Sequence, residues 1–293
     1  MKTLLIIIAF VHVLPSSFAQ TKYEVLRNGK LEKLLGHVET TDFEKEPFES
    51  WYQRYYSEYI VDTVALDKLV FDFDSVQVFF GTWCKDSKEH LPAFIKVLER
   101  LQQKEKLRLV GVENISFMYK QSPDGQHFGK NIHRIPTFIF YEASEEIGRI
   151  IETPGKSLEN DMYALSQGTY TPNYQIIESI DSIFISVHPD NWEDNLQSIL
   201  NTFGMPETAD DFHTWARVLK QNGRIAACKL ILETNYALFP STWFTSFYLG
   251  LLHEEMGNVP EAIKYYQKTY EIQPQGDFLW SKVEALKRLS DDR

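Results

Sequence analysis

The hydrophobic pattern of the chain changes near residue 170, and this change limits the folds that the chain can adopt. Between Val61 and Gly168, short apolar runs alternate with segments of helical periodicity, which is typical of an α/β layer structure. After Tyr174 nearly every segment has helical periodicity. The pattern therefore predicts a sheet flanked by helices over residues 61–170, and an all-α region that follows a linker and helix over residues 171–204.

Apolar runs, and the residues that end them, place the individual elements. We predict strands at 76–80, 107–112, 137–141 and 147–151, and helices at 85–103 and 157–166. Residues 174–187 are compatible with either a strand or a helix. Asp190 is predicted to cap a helix that ends near Phe203, because a short acceptor side chain satisfies free amide groups in a first turn.

Residues 20–60 form an N-terminal extension that begins polar and becomes densely aromatic. Its aromatic side chains recur at intervals of three and four residues, which is the spacing of one helix face. They are Phe48, Trp51, Tyr52, Tyr55, Tyr56 and Tyr59. The spacing predicts a leading helix that packs on the main domain, and the alternative is an aromatic platform for a carbohydrate or another ligand.

The N-terminus has the features of an export signal. A short positive start (residues 1–2), a mostly apolar run (residues 3–14) and small residues at Ser17 and Ala19 match the pattern that signal peptidases recognise. The run is shorter than the roughly 20 apolar residues that span a bilayer. We therefore predict that residues 1–19 are removed, and that the protein is periplasmic or secreted without a stable membrane anchor.

Charge and cysteine content exclude several classes of function. Lys and Arg number 30 against 41 Asp and Glu, so the net charge is −11 and the surface repels phosphate backbones and anionic lipid. Two cysteines, Cys84 and Cys228, are too few for a disulfide framework or a thiolate-rich metal site. The eight histidines have no metal-type spacing, and the sequence has no phosphate-binding glycine loop. We predict no metal, no cofactor and no nucleic-acid partner.

Residues 205–293 repeat with a period of 34. Gly223 recurs as Gly257, Tyr236 as Tyr270 and Pro240 as Pro274, and Cys228 falls opposite Ala262. Signature positions of the tetratricopeptide repeat are matched by Leu249-Gly250, Gly257, Ala262, Tyr266 and Pro274. The region therefore resembles that family, which implies stacked helical hairpins with Cys228 as a buried packing residue. A closing helix over 278–289, which contains Trp280, is expected to seal the stack.

Residues that can carry chemistry are concentrated at 81–87, where a strand is predicted to turn into a helix. A thiol at a helix start faces unpaired amide groups and the positive end of the helix dipole, and both favour the thiolate. Cys84 is therefore a candidate nucleophile, and Lys85 adds positive potential. Ser87 lies three residues further on, where its hydroxyl can reach toward the sulfur or cap the helix. The alternative is a cysteine that only packs at the helix start.

Three landmarks follow one another in this part of the chain. Trp83-Cys84 ends the predicted strand, Pro92 lies eight residues after the cysteine, and Ile135-Pro136-Thr137 opens a later strand. Together they resemble the thioredoxin superfamily, which has a Trp-Cys-x-x-Cys turn, a helix-kinking proline and a cis-proline before a threonine. The resemblance covers roughly residues 61–168 and implies a thioredoxin-like α/β domain with a central mixed sheet flanked by helices.

The resemblance implies roles for seven residues. Cys84 and Ser87 are the predicted catalytic residues. Because the family's cis-proline loop lies against the active-site sulfur and binds extended substrate backbone, the predicted substrate-binding residues are Trp83, Lys85, Ile135, Pro136 and Thr137.

Two departures from the family pattern change the predicted chemistry. Ser87 replaces the second cysteine, and Val78 replaces a buried acidic residue. What remains is attack by one thiolate on a disulfide to give a mixed disulfide, which an outside thiol releases. We therefore expect an exported monothiol oxidoreductase or isomerase that acts on extended protein clients or a small thiol.

The alternative function is a non-catalytic peptide-binding module. It would combine a redox-inactive thioredoxin fold with a helical-repeat docking domain, and Cys84 would be a remnant. The absence of a second cysteine and of the buried acid favours this alternative. Retention of Trp83, Cys84, Pro92 and Pro136 favours the thiol chemistry.

Overall fold

The computed structural model describes residues 21–27, 29–115, 118–274 and 277–291. The predicted export signal, residues 1–19, lies outside the described residues. In the described ranges, no helix is long and apolar enough to cross a membrane.

A six-stranded mixed sheet forms the N-terminal region. Its strands are β1 (Lys22–Arg27), β2 (Lys30–Val38), β3 (Ser75–Phe80), β4 (Leu107–Gly111), β5 (Thr137–Glu142) and β6 (Glu145–Ile151). They are ordered β1-β2-β4-β3-β5-β6 across the sheet. The β3 and β4 strands are parallel, and every other neighbouring pair is antiparallel.

Helices of the N-terminal region lie mainly on one face of this sheet. They are α1 (Glu49–Glu58), α2 (Thr63–Leu66), α3 (Lys85–Arg100) and α4 (Leu158–Ser166). Because successive strand residues point to opposite faces, Val78 of β3 packs in the core shared with α1, α3 and α4, and Phe79 packs in a smaller cluster on the other face. The α3 helix connects β3 to its parallel neighbour β4, so the turn that starts α3 lies at the carboxyl end of a buried strand.

The predicted strands and helices between residues 76 and 166 are confirmed, with boundaries that differ by up to three residues. The aromatic helix is also confirmed as α1, and it packs on the main domain because Phe48 and Tyr52 are buried in the core. The β1–β2 hairpin was not predicted. Most of β1 is exposed, so its sequence lacks the apolar alternation that marks a half-buried strand.

A helical region follows the sheet. Its helices are α5 (Gln175–Ser186), α6 (Trp192–Phe203), α7 (Ala209–Gln221), α8 (Ile225–Leu238), α9 (Trp243–Glu255), α10 (Val259–Ile272) and α11 (Asp277–Asp291). The ambiguous segment 174–187 is therefore the helix α5. The predicted layout, a mixed sheet with helices followed by a helical region, is confirmed.

The predicted capping role of Asp190 is wrong. Asp190 lies within a short 3-10 turn, Pro189–Asn191, and α6 begins only at Trp192 after Asn191. The amide of Asp190 instead donates to the His188 ring at 3.4 Å. Pro189 has no backbone N–H that would need an acceptor. It can therefore begin a short turn ahead of the helix.

Two helical hairpins, α7–α8 and α9–α10, follow each other at the repeat spacing. Gly223 and Gly257 end the first helix of each hairpin with φ of +73° and +75°, a left-handed conformation that glycine adopts without strain. Cys228 is buried in the core of this region, so its predicted packing role is confirmed. The expected closing helix is α11, which packs against Ala262 and Tyr266.

Candidate functional site

Cys84 lies at the N-terminus of α3, immediately after the turn that follows β3. Its N–H donates to the Gly81 carbonyl oxygen at 2.9 Å, and its own carbonyl oxygen accepts from the Lys88 N–H at 3.1 Å. The side chain is partly exposed. The sulfur therefore sits at the N-terminal, positive end of a 16-residue helix, where a solute can reach it.

The loop that enters β5 lies against this sulfur. The peptide bond between Ile135 and Pro136 is cis, as expected. The Cys84 Sγ lies 3.5 Å from the carbonyl oxygen of Ile135 and donates to it when protonated. A carboxylate oxygen of Asp86 is 3.9 Å from the same sulfur. The turn before α3 and the loop before β5 thus form a single site.

Trp83 forms one wall of the site. Its indole N–H donates to the Val112 carbonyl oxygen at 2.9 Å, and its ring is half-buried against the cluster that contains Ile135. A Cβ atom at Gly81 would lie 2.6 Å from this ring and 3.0 Å from the end of the Ile135 side chain. Glycine is therefore required at position 81 for the ring to lie beside the cysteine.

Ser87 is oriented differently from the sequence-based expectation. Its side chain is buried, and its hydroxyl accepts the Gly81 N–H at 3.2 Å. This bond ties the end of β3 to the first turn of α3. The hydroxyl thus stabilises the turn between β3 and α3. Within the part of the chain that the structure describes, it makes no hydrogen bond to the sulfur.

Predicted substrate-binding residues differ in their exposure. Lys85 is exposed beside Cys84. The side chains of Ile135, Pro136 and Thr137 are buried, and the Thr137 hydroxyl donates to the Arg134 carbonyl oxygen at 2.7 Å. A substrate can therefore contact Trp83 and Lys85 through their side chains, whereas the buried residues can present only backbone.

A buried lysine that the sequence analysis did not select lies near the site. Lys120 is only 5% exposed, and its ammonium donates to the carbonyl oxygen of His133. Burial, followed by the charge of Arg134, lowers the pKa of Lys120 to about 7, although Glu152, Cys84 and Asp210 act in the opposite direction. A lysine in a polar loop is ordinarily solvated, so the sequence carries no local signal for this burial.

Arg134 connects the same loop to the helical region. Its guanidinium lies 2.5 Å from a carboxylate oxygen of Asp211 and 3.4 Å from one of Asp210, at the start of α7. It also lies 3.8 Å from Glu152 and 4.8 Å from the centre of the Tyr174 ring. The Tyr174 hydroxyl in turn donates to Glu152. These contacts fix the helical region against the loop that touches Cys84.

Helices α5 and α7 also cover this loop directly. The His133 ring pairs with Glu178 of α5 at 3.0 Å. Asn131 accepts the indole N–H of Trp215 at 3.0 Å. The guanidinium of Arg217 lies 3.6 Å from the centre of the Tyr119 ring. The helical region therefore packs directly against the segment that leads to the site.

A cleft of about 640 Å³ opens between the two regions. Arg134 and Tyr174 line it from one side. It is also lined by Phe203 at the end of α6, Met205 in the α6–α7 connection and Asp210 in α7, and the two apolar side chains are 46% and 68% exposed. The cleft thus combines exposed apolar side chains with carboxylates.

The other thiol is chemically different from Cys84. Burial raises the pKa of Cys228 to about 12, so this group stays protonated at neutral pH and is out of reach of solutes. Among the residues that the structure describes, no three His, Cys, Asp or Glu side chains are grouped so that they could hold a metal ion.

Comparison of the chain with protein-family models, with curated proteins and with solved structures finds no match.

Proposed function

We propose that this chain is a thioredoxin-like protein that carries out thiol–disulfide exchange through the single thiol of Cys84. The observation that supports this most directly is the position of the sulfur. It is partly exposed at the N-terminus of α3 and lies 3.5 Å from the carbonyl oxygen of Ile135, the residue before cis-Pro136.

Strand order supports the thioredoxin-like assignment. The β3 and β4 strands are parallel and joined by α3, and the antiparallel hairpin β5–β6 is followed by α4. The candidate thiol and the cis-proline lie at the start of α3 and the start of β5, which are the places that the family resemblance assigns to them.

A tetratricopeptide-like character of the helical region is proposed on similar grounds. Two hairpins repeat at the 34-residue spacing, and each turn has a glycine of positive φ. In the second hairpin, Gly250 of α9 lies directly against the Tyr266 ring of α10.

The proposed reaction is a single exchange step. The Cys84 thiolate attacks one sulfur of a client disulfide, a new sulfur–sulfur bond forms, and the client's other sulfur leaves as a thiolate that takes up a proton. Because Ser87 stands where a resolving thiol would be needed, the mixed disulfide persists until an outside thiol attacks it. This chemistry suits a monothiol reductant, an isomerase or a carrier of a bound client. Export by residues 1–19 would place Cys84 where partners retain their disulfides.

Reaction with oxidised glutathione tests this proposal, with Cys228→Ser as the matched control. We expect the wild-type protein and Cys228→Ser each to gain one glutathione by intact mass, and Cys84→Ser to gain none, because only Cys84 is accessible. If the folded wild-type protein gains no glutathione while its urea-unfolded form does, thiol exchange is not its function.

A non-catalytic peptide-binding function is the second candidate, and the cleft between the two regions favours it. Exposed Phe203 and Met205 beside Asp210 and Glu207 suit a peptide with apolar and basic side chains. Under this alternative, a peptide of that composition would bind equally well to the wild-type protein and to Cys84→Ser in calorimetry. It would bind less well to the Met205→Asp variant.

A further inference from the structure

We propose that protein clients of Cys84 dock in the cleft between the two regions, and that the cleft selects disulfides with basic and apolar residues nearby. This inference rests on the proposed exchange function and names the class of client. It differs from the peptide-binding alternative because the cleft and the thiol must act on the same ligand.

The cleft begins one residue away from the backbone that contacts the sulfur. The carbonyl oxygen of Ile135 lies 3.5 Å from the Cys84 Sγ, and the preceding residue, Arg134, lines the cleft. An extended client advances about 3.3 Å per residue. A client whose cysteine reaches Cys84 can therefore place neighbouring residues in the cleft.

The end of β6 joins the cleft to the other side of the same loop. The Glu152 N–H donates to the Pro136 carbonyl oxygen at 2.7 Å, and the next residue, Thr153, lines the cleft. The loop with the cis-proline thus has the thiol on one flank and the cleft on another.

A second cavity lies too far along the sheet to serve the thiol in this way. It measures about 440 Å³ and lies between β2 and the start of β4. Leu107, which lines it, pairs with Val76 near the beginning of β3, whereas Cys84 follows the end of β3. This cavity therefore opens at the opposite end of the sheet.

The walls of the cleft are fixed by bonds between the two regions. The Arg134 guanidinium lies 2.5 Å from Asp211, and the Asn173 side-chain amide donates to the Thr153 carbonyl oxygen at 2.6 Å. A client that enters a preformed cleft does not have to order its walls. The volume of about 640 Å³ is typical of pockets that hold a ligand.

The accessible charge of the cleft is negative. Glu207 is exposed and has no ion pair or hydrogen bond with any residue that the structure describes. The Asp210 side chain is 59% exposed and only 3.4 Å from Arg134 at its closest. Arg134 itself is 12% exposed and is paired with Asp211. Basic client side chains are therefore attracted to the cleft, and acidic ones are repelled.

Apolar side chains lie beside these carboxylates. Phe203 and Met205 are 46% and 68% exposed, and they flank Gly204, which ends α6 with a φ of +87°. Neighbouring exposed apolar side chains are typical of an interaction surface, and methionine adapts to partners of different shape. The cleft thus suits a client that carries apolar as well as basic residues.

The test is the rate constant for the reaction of Cys84 with blocked cysteines, measured in the Cys228→Ser background. Each probe is a mixed disulfide with thiopyridine, whose release is followed by absorbance. The basic peptide has a central cysteine with one leucine and two arginines on each side, and the acidic peptide has glutamates in place of the arginines. Glutathione blocked in the same way is the reference, because it has only one residue on each side of its cysteine.

The decisive comparison is between variants, because the two peptides also differ in their intrinsic reactivity toward a thiolate. We expect Glu207→Lys to slow the basic peptide about fivefold and to speed the acidic peptide by a similar factor. Met205→Ser should slow both peptides, since both carry leucines. Neither variant should change the rate with glutathione by more than about twofold. Both side chains are exposed, so both variants should fold.

The matched control is Glu193→Lys, which makes the same change of charge in the exposed first turn of α6. The helix places this residue about 15 Å from Phe203, which is beyond the screening length of about 8 Å at physiological salt. All three rates should stay at the wild-type values. Equal effects of Glu193→Lys and Glu207→Lys would assign the preference to net charge and overturn the inference. A Glu207→Lys variant that changes all three rates by one factor would also overturn it.

These outcomes separate this inference from the proposed function. If glutathione reacts with Cys84 but the cleft variants leave both peptide rates unchanged, the function stands and the docking site is wrong. If glutathione does not react, the proposed function fails and the inference fails with it. If the variants weaken peptide binding in calorimetry without changing the exchange rates, the cleft acts independently of the thiol. That result overturns the inference and favours the non-catalytic alternative.

Discussion

Ser87 limits what the Cys84 thiol could do after the proposed attack on a disulfide. The Ser87 side chain lies in the first turn of α3, three residues after Cys84, and its hydroxyl accepts the Gly81 N–H at 3.2 Å. It therefore supports the turn but offers no second sulfur to displace a bound client. Under the proposed exchange function, a site of this kind would retain its partner, whereas a dithiol site would release it.

The variant Ser87→Cys is expected to convert the site to a releasing one. A sulfur in the first turn of α3 can attack the mixed disulfide between Cys84 and glutathione, so intact mass should show loss of the adduct and formation of an internal disulfide. Weaker bonding to the Gly81 N–H should lower the free energy of unfolding by about 1 kcal/mol.

The control is Ser198→Cys on the exposed face of α6, which should keep the adduct on Cys84. Persistence of the adduct in Ser87→Cys would show that the first turn cannot accommodate a disulfide.

Elements with a strong hydrophobic period could be predicted from the sequence, and those without one could not. The β3 strand contains a short apolar run interrupted only by Gln77, and α3 has a regular buried face that includes Leu91 and Leu98. The β1 strand was missed because it is an exposed edge strand. The α5 helix was ambiguous because its β-branched isoleucines suit both kinds of element, and the distinction comes from their packing in the core of the helical region.

Gly250 shows how tightly α9 and α10 pack. A Cβ atom there would lie 2.6 Å from the Tyr266 ring, and this buried ring is held by the bond from its hydroxyl to Glu254 at 2.5 Å. We expect Gly250→Ala to lower the free energy of unfolding by about 1–2 kcal/mol, because overpacking outweighs the roughly 1 kcal/mol that alanine gains over glycine inside a helix. Urea unfolding followed by circular dichroism measures this change in the free energy of unfolding. The control is Ser198→Ala, at an exposed helical position, which should change the free energy of unfolding by less than about 0.5 kcal/mol. A Gly250→Ala protein more stable than the wild type would contradict the close packing.

Cys84, Trp83 and Pro136 could be selected from the sequence because each has a local pattern. Lys120 and Arg134 could not, because their surroundings come from distant parts of the chain. Arg134 and Asp211 are 77 residues apart in sequence, and Asn131 meets Trp215 across 84 residues. The packing of α7 on the loop before β5 brings Asp210 and Asp211 to this arginine. The site thus depends on both regions of the molecule.

The pair formed by Arg134 and Asp211 is expected to hold the two regions together. Both side chains are only 12% exposed, and their closest atoms are 2.5 Å apart, so Arg134→Met leaves a carboxylate with little access to water. Removing one partner of such a pair lowers the free energy of unfolding by about 3–5 kcal/mol. The matched control is Arg54→Met, because Arg54 pairs with Glu58 at 3.1 Å on the surface, where the side chains are 66% and 58% exposed. That pair contributes about 0.5 kcal/mol or less. Urea unfolding of both variants measures the two losses in the free energy of unfolding. Equal losses would show that the pair between Arg134 and Asp211 does not hold the two regions together.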